Sequence, residues 1–182
     1  MHGKRTEIDF SNHDLIVTKS DGLLIHWLKQ PDSSIDNIKY INILGNNLVV
    51  TGDYSNWIFC REFHPTAEGY VSDMYWKEKL KNSSCQEPAD YDSERTIEAI
   101  KEILNNPERD LSEGEIDWLN DLLRLADDEI NYLCRAFRNN NINWDAEQIP
   151  YVKTVKFHFL AILDGFDEIC RRLKEGEKIT LA

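Results

Sequence analysis

At 182 residues, 41% of them apolar and 30% charged, the chain is long enough to bury a core and too apolar to stay disordered. A net charge of −12 argues against binding of free nucleic acid, which rests on Lys and Arg neutralising phosphates, and favours a basic protein groove as partner. Cys60, Cys85, Cys134 and Cys170 stand far apart, with no Cys-x-x-Cys pair and no clustered histidines, so they read as free thiols and call for no metal or cofactor.

The charge is unevenly placed: residues 1–80 hold 8 Lys/Arg against 11 Asp/Glu, and residues 81–182 hold 13 against 22. The acidity is therefore a property of the second half. With no apolar stretch of signal-peptide or membrane-spanning length, the chain is expected to stay in the cytoplasm.

In chain order, "DLIVTK" and "LLIHWLK" are rich in strand formers and flank "SDG", whose Asp21-Gly22 pair suits a tight hairpin turn. After "QPDSS", the segment "NIKYINIL" alternates apolar and polar residues, and "GNN" turns it into "LVVTG". Strands are predicted at about 14–19, 23–29, 37–44, 47–52 and 56–61. Ser72 is a candidate cap for a short helix over "DMYWKEKLKN". "SSCQEPADYDS", residues 83–93, reads as a linker, and Ser93 is placed to cap "ERTIEAIKEILNN". Ser112 and Glu115 have capping-box spacing and open a long amphipathic pattern running to Phe137. A last helix is predicted from about Tyr151 to Lys174, with Val155, Phe159, Ile162, Phe166 and Ile169 inward. The fold class that follows is α+β: an N-terminal antiparallel sheet of four to five strands with a short helix, residues 1–82, then a mainly helical region, residues 83–182, packed on the sheet as one compact unit.

No phosphate loop, dinucleotide-binding glycine pattern, nucleophile elbow or His-Glu-x-x-His occurs. Three weaker constellations remain. His13, His26 and His64, with Lys29, Arg61 and Asp53, supply the base, acid and cation of metal-free RNA cleavage, for which His26, Lys29 and Arg61 are the candidate catalytic residues. His26 within "LLIHWL" reads equally as a buried histidine. The corner "GDYSNW" offers Asp53, Tyr54 and Trp57 as partner-binding residues, against the plainer reading of a hairpin. The run from Glu87 to Glu129 has 15 acids and 4 bases; Asp117, Asp121, Asp128 and Glu129 are its candidate partner contacts, either as an imitation of nucleic-acid phosphates or as a solvated helix face.

The stretch "HWLKQPDSSIDNIKYINILGNNLVVTGDYSNWIFCR" with "YWKEKL" resembles a family of small uncharacterised proteins encoded by phages and prophages. The resemblance rests on His26, Lys29, Pro31, Ser33, Ser34, Gly45, Leu48, Gly52, Asp53, Trp57, Phe59, Arg61, Tyr75, Trp76, Glu78 and Lys79. It covers residues 23 to 81, extends more loosely to "FHFLAILDGFDEI", and leaves out the region from about 83 to 140. Gln30 stands where the family usually has Arg, and Ser55 where it usually has a second Gly. The resemblance implies a mobile-element protein in a bacterial host cell. In size and acidity the chain is also similar to anti-CRISPR inhibitors of the Cas9 class. The expected function is thus inhibition of a bacterial defence nuclease, with Cas9 and its guide RNA as partner, by acidic mimicry or by truncation of the guide. The alternatives are a metal-independent ribonuclease and a non-enzymatic phage structural or regulatory protein.

Overall fold

Strand formers and tight turns between Asp14 and Phe59 give five consecutive antiparallel strands: β1 (Asp14–Ser20), β2 (Leu23–Lys29), β3 (Ile38–Ile43), β4 (Asn47–Gly52) and β5 (Trp57–Phe59). The computed structural model describes residues 4–67, 71–83, 87–138, 144–177 and 180–181. These form two compact units, residues 1–88 with 155–182, and residues 89–154.

In the first unit the short helix α1 (Asp73–Lys79) follows β5, and its Ser72 cap accepts from the Tyr75 N–H as the sequence suggests. The helix stops at Lys79, three residues earlier than expected. Leu80 leaves it in an extended conformation and pairs with Phe59, so β6 (Leu80–Ser83) becomes an edge strand in a segment expected to be helix and linker. The final strand β9 (Thr180–Leu181) adds to β1 in parallel, completing the order β6-β5-β4-β3-β2-β1-β9.

Alternation along the strands sends Leu28, Ile38, Tyr40, Leu48, Val50, Trp57 and Phe59 to one face, where all are fully buried. The 19-residue helix α5 (Phe157–Glu175) covers that face with Phe159, Ile162, Phe166 and Ile169. It starts at Phe157 rather than near Tyr151. Edge-to-face ring contacts at about 5 Å join Trp57 to Phe159 and Trp76 to Phe166. Helix and sheet come close at Gly165, where a Cβ would lie 2.5 Å from the Tyr40 hydroxyl. That hydroxyl donates to the Ile162 carbonyl at 2.6 Å. The sequence groups this last helix with the other helices, but it belongs to the sheet's unit because its apolar stripe completes the sheet's core.

α5 also carries two buried charged side chains. Asp164 accepts from the Arg5 and Thr6 backbone N–H groups at 3.0 and 2.7 Å and from the Thr6 hydroxyl at 2.8 Å. Arg172 donates to the carbonyls of Phe10, Ser11 and His13 at 2.7, 3.0 and 2.6 Å. A segment with no regular structure of its own is thereby tied down along α5, as its backbone polar groups require when partly buried.

The second unit contains α2 (Ser93–Asn105), α3 (Glu113–Leu125), α4 (Glu129–Arg138) and a two-stranded pairing of β7 (Ala89–Tyr91) with β8 (Lys153–Val155), of which Lys153 and Thr154 belong to this unit. Its core is Ile100, Trp118, Leu119, Leu122, Ala126 and Tyr132. Asp92, rather than Ser93, caps α2 by accepting from the Arg95 N–H. Ser112 and Glu115 form the expected capping box at α3. The expected continuous helix from Ser112 to Phe137 is two helices. Tyr91 donates its hydroxyl to the Ala126 carbonyl at 2.9 Å, and the Asp128 carboxylate accepts from the Asn131 N–H at 3.1 Å, so one helix is ended and the next begun within three residues. No helix among the described residues is long and apolar enough to cross a membrane.

Candidate functional site

The Gly52-Asp53-Tyr54 corner is built around an unusually close backbone approach. Gly52 has φ +137°, and a Cβ there would lie 2.1 Å from the Asn37 carbonyl oxygen, so no side chain fits. The Asp53 N–H donates to that carbonyl at 3.0 Å while the Asp53 carboxylate accepts from the Asn37 N–H at 2.8 Å. Asn37 in turn accepts from the Gln30 N–H at 3.0 Å, closing the loop that begins at Pro31. In that loop Asp32 and Asp36 take positive φ values of 54° and 61°. Tyr54 is buried, donates its hydroxyl to Asp36 at 2.5 Å, and has its pKa pushed up by burial and by that carboxylate. Trp57 is wholly buried and donates to the Tyr54 carbonyl at 2.7 Å. Asp53, Tyr54 and Trp57 thus hold the corner, and two of the three are closed to a partner.

His26, Lys29 and Arg61 are not brought together. His26 lies on the core face, 6% exposed, and burial, helped by His64, lowers its pKa to about 4. It is neutral near pH 7, and its Nδ1 has no partner among the described residues. Lys29, an odd number of residues away on β2, projects from the opposite face, with its ammonium 5.4 Å from the Trp27 ring centre. Arg61 lies beyond β5, whose Phe59 aligns with Leu48, Asn42 and Leu24 across the sheet; Lys29 aligns with Asp14 at the other end of β2. Arg61 donates to the Tyr75 hydroxyl at 2.5 Å. His64 pairs with Glu62 at 2.6 Å, and His13 is buried against the Asp36 carbonyl at 2.8 Å. No common reaction centre is formed by these groups.

The open face of the sheet carries a different set. Ile25, Ile41, Val49 and Ile58 stand in register across β2, β3, β4 and β5, each half-buried. Beside them Lys39 stands 4.2 Å above the Trp27 ring centre. Trp27, Lys39, Ser34, Asn37, Thr51 and Asp53 line a shallow cavity of about 250 Å³. Counting alternation outward from Leu28 would have placed Trp27 here and Trp57 inside; the aromatic content of the sheet alone could not separate them.

In the second unit 16 Asp/Glu stand against 7 Lys/Arg, a net of −9 out of the chain's −12. Of the four acids singled out by sequence, Asp117 is exposed on α3. The others have structural partners: Asp121 bridges to Arg135 at 2.7 Å and to Arg124 at 3.3 Å, Asp128 caps α4, and Glu129 accepts from the Tyr151 hydroxyl. A row the sequence reading passed over lies on α2, where Glu94, Glu98 and Glu102 are all exposed at four-residue spacing. That spacing places successive carboxylates about 6 Å apart along the helix.

Comparison with family models, with curated proteins and with solved structures found no match to this chain.

Proposed function

We propose that the chain is a binding protein of the anti-defence kind that docks on a basic, nucleic-acid-handling enzyme, with Cas9 and its guide RNA as the first partner to test. The observation that carries this reading is the concentration of net charge −9 on one compact unit whose α2 row and Asp117 leave carboxylates free to face a cationic groove. Such a surface raises the association rate with a positive channel and competes there with nucleic acid. His26, Lys29 and Arg61 supply no shared site, so inhibition by occupancy is favoured over guide truncation.

The experiment mixes purified protein with Cas9 and guide and reads DNA cleavage and guide length together. Blocked cleavage with a full-length guide is expected, with affinity falling as salt is raised from 50 to 300 mM. Replacing Glu94, Glu98 and Glu102 by Gln should weaken binding about tenfold, at roughly 0.2–1 kcal/mol for each exposed ion pair. A shortened guide, or binding indifferent to salt, would overturn the reading.

A further inference from the structure

A second feature of the sheet's unit points to a ligand independently of the acidic helices. The segment fastened by Asp164 and Arg172 forms one wall of a cavity of about 720 Å³, whose other walls come from Gln30, Asp36 and Phe157. Arg5, Glu7, Asp9 and His13 also line it.

His13 is 3% exposed, and its Nε2 stands 2.8 Å from the Asp36 carbonyl oxygen. A carbonyl can only accept, so Nε2 carries a proton, and in the neutral imidazole Nδ1 then presents a lone pair. That Nδ1 is buried and has no hydrogen-bond donor among the described residues. An acceptor left in this state costs free energy until a donor reaches it.

The charges around it have one dominant sign. Glu7 and Asp9 are exposed carboxylates, and Asp36 uses one oxygen for the Tyr54 hydroxyl. Arg5 lines the cavity as a cation but is outweighed by its own partners: it contacts Asp73 at 2.7 Å, Asp164 at 3.1 Å and Asp167 at 2.7 Å, three negative charges to one positive. Two further cations lie nearby: Lys4 donates to the Glu7 carbonyl, and the buried Arg172 guanidinium is taken up by the Phe10, Ser11 and His13 carbonyls and by Glu168 at 2.8 Å. Phe157 adds an aromatic ring that is 51% exposed. An anion would be repelled here. Among the described residues, no group of three or more His, Cys, Asp or Glu side chains is placed to hold a metal ion.

We propose that this cavity receives a guanidinium or ammonium group, which would satisfy the His13 lone pair with an N–H, balance the carboxylates and lie against the Phe157 ring. The cation reaches the cavity either as a free small molecule or as an Arg or Lys side chain on a basic protein segment. The site is complete within the first unit and does not depend on the identity of the partner proposed above.

The test is calorimetric titration of the full chain with three probes: agmatine, a short arginine-containing peptide, and the same peptide with citrulline, a neutral isostere, in place of arginine. The arginine peptide should bind at least tenfold more tightly than its citrulline counterpart. Agmatine binding alongside it would identify a free cation as sufficient, whereas binding of the peptide alone would identify a protein segment as the source. Phe157→Leu and Glu7→Gln, both at exposed positions, should each weaken binding about three- to tenfold, and the ¹⁵N resonance of His13 Nδ1 should move on titration. Equal binding of the citrulline peptide, no binding of any probe, or binding unchanged in both variants would overturn the assignment. Binding lost on α2 neutralisation but kept in Phe157→Leu and Glu7→Gln would place the cation on the acidic unit and refute the cavity while leaving the proposed function intact.

Discussion

Replacing Gly165 by Ala tests how the α5 helix meets the sheet. In an exposed helix the change would stabilise by about 1 kcal/mol, because Gly is the poorer helix former. Here the new Cβ would stand 2.5 Å from the Tyr40 hydroxyl, which must move and give up its 2.6 Å bond to the Ile162 carbonyl. Overpacking costs about 1–3 kcal/mol and a buried hydroxyl without its partner about 1–3 more, so the net loss should be about 2–4 kcal/mol. Tyr40→Phe alone should cost about 1 kcal/mol, since it removes the hydroxyl and leaves no orphaned donor. In that background the nearest neighbours of the methyl introduced at position 165 become the Ile38 and Leu28 Cδ1 atoms at 3.1 and 3.3 Å, which have only tenths of an ångström to yield. Gly165→Ala should then be nearly neutral, giving a coupling of about 2–4 kcal/mol between the two positions. Native-state hydrogen exchange of β3 and α5 amides reads the stability of this unit alone. Equal costs in both backgrounds, or stabilisation by Gly165→Ala in the wild-type chain, would refute the packing argument.

The corner, the buried arginine and the buried histidine each have a separate test. Gly52→Ala should destabilise by at least about 3 kcal/mol in urea denaturation, because positive φ strain is added to a backbone clash with Asn37. Arg172→Met removes donors from three backbone carbonyls and should cost about 3–5 kcal/mol, with amide exchange accelerated first around residues 10–13; uniform acceleration would count against local tethering. His26 has a folded pKa of about 4, below the unfolded value near 6.5, so the folded state favours the neutral form. Its contribution is whole above pH 6.5 and is lost as pH falls toward 4, a drop of about 3 kcal/mol that His26→Gln should not show when unfolding free energies at the two pH values are compared.

Much of the fold was legible because local signals agreed with tertiary demands. The five consecutive strands, the Ser72 cap and the Ser112–Glu115 capping box each follow from residues within a few positions of one another. The discrepancies arise where a distant residue decides. Tyr91 ends α3 at Ala126 from 35 positions away, and Leu80 leaves its helix because Phe59 offers a strand edge. The parallel pairing of β9 with β1 joins the two ends of the chain, and no local pattern announces it. The final helix carries four of the five expected inward residues, Phe159, Ile162, Phe166 and Ile169, while Val155 falls in β8 before the helix begins; periodicity cannot say which core the four enter.

The candidate site was less legible for a physical reason visible in the residues on which the expected resemblance to phage proteins was based. His26, Leu48, Trp57, Phe59 and Trp76 are buried in one core, Gly52 admits the Asn37 backbone, and Asp53 closes the corner with two hydrogen bonds. A pattern made of such residues specifies a fold closely and leaves chemistry open, because fold does not fix function. The resemblance also stops near residue 83, before the unit that holds most of the net charge. The groups best placed to meet a partner are therefore the ones the pattern does not include: the α2 carboxylates, Trp27 with Lys39 on the open sheet face, and the His13 cavity. Substitutions at the exposed positions among them, Glu94, Glu98, Glu102, Glu7 and Phe157, should change binding while the unfolding free energy stays within about 0.5 kcal/mol, as for surface positions generally, whereas substitutions at the buried Leu48, Trp57, Phe59 and Trp76 should do the reverse.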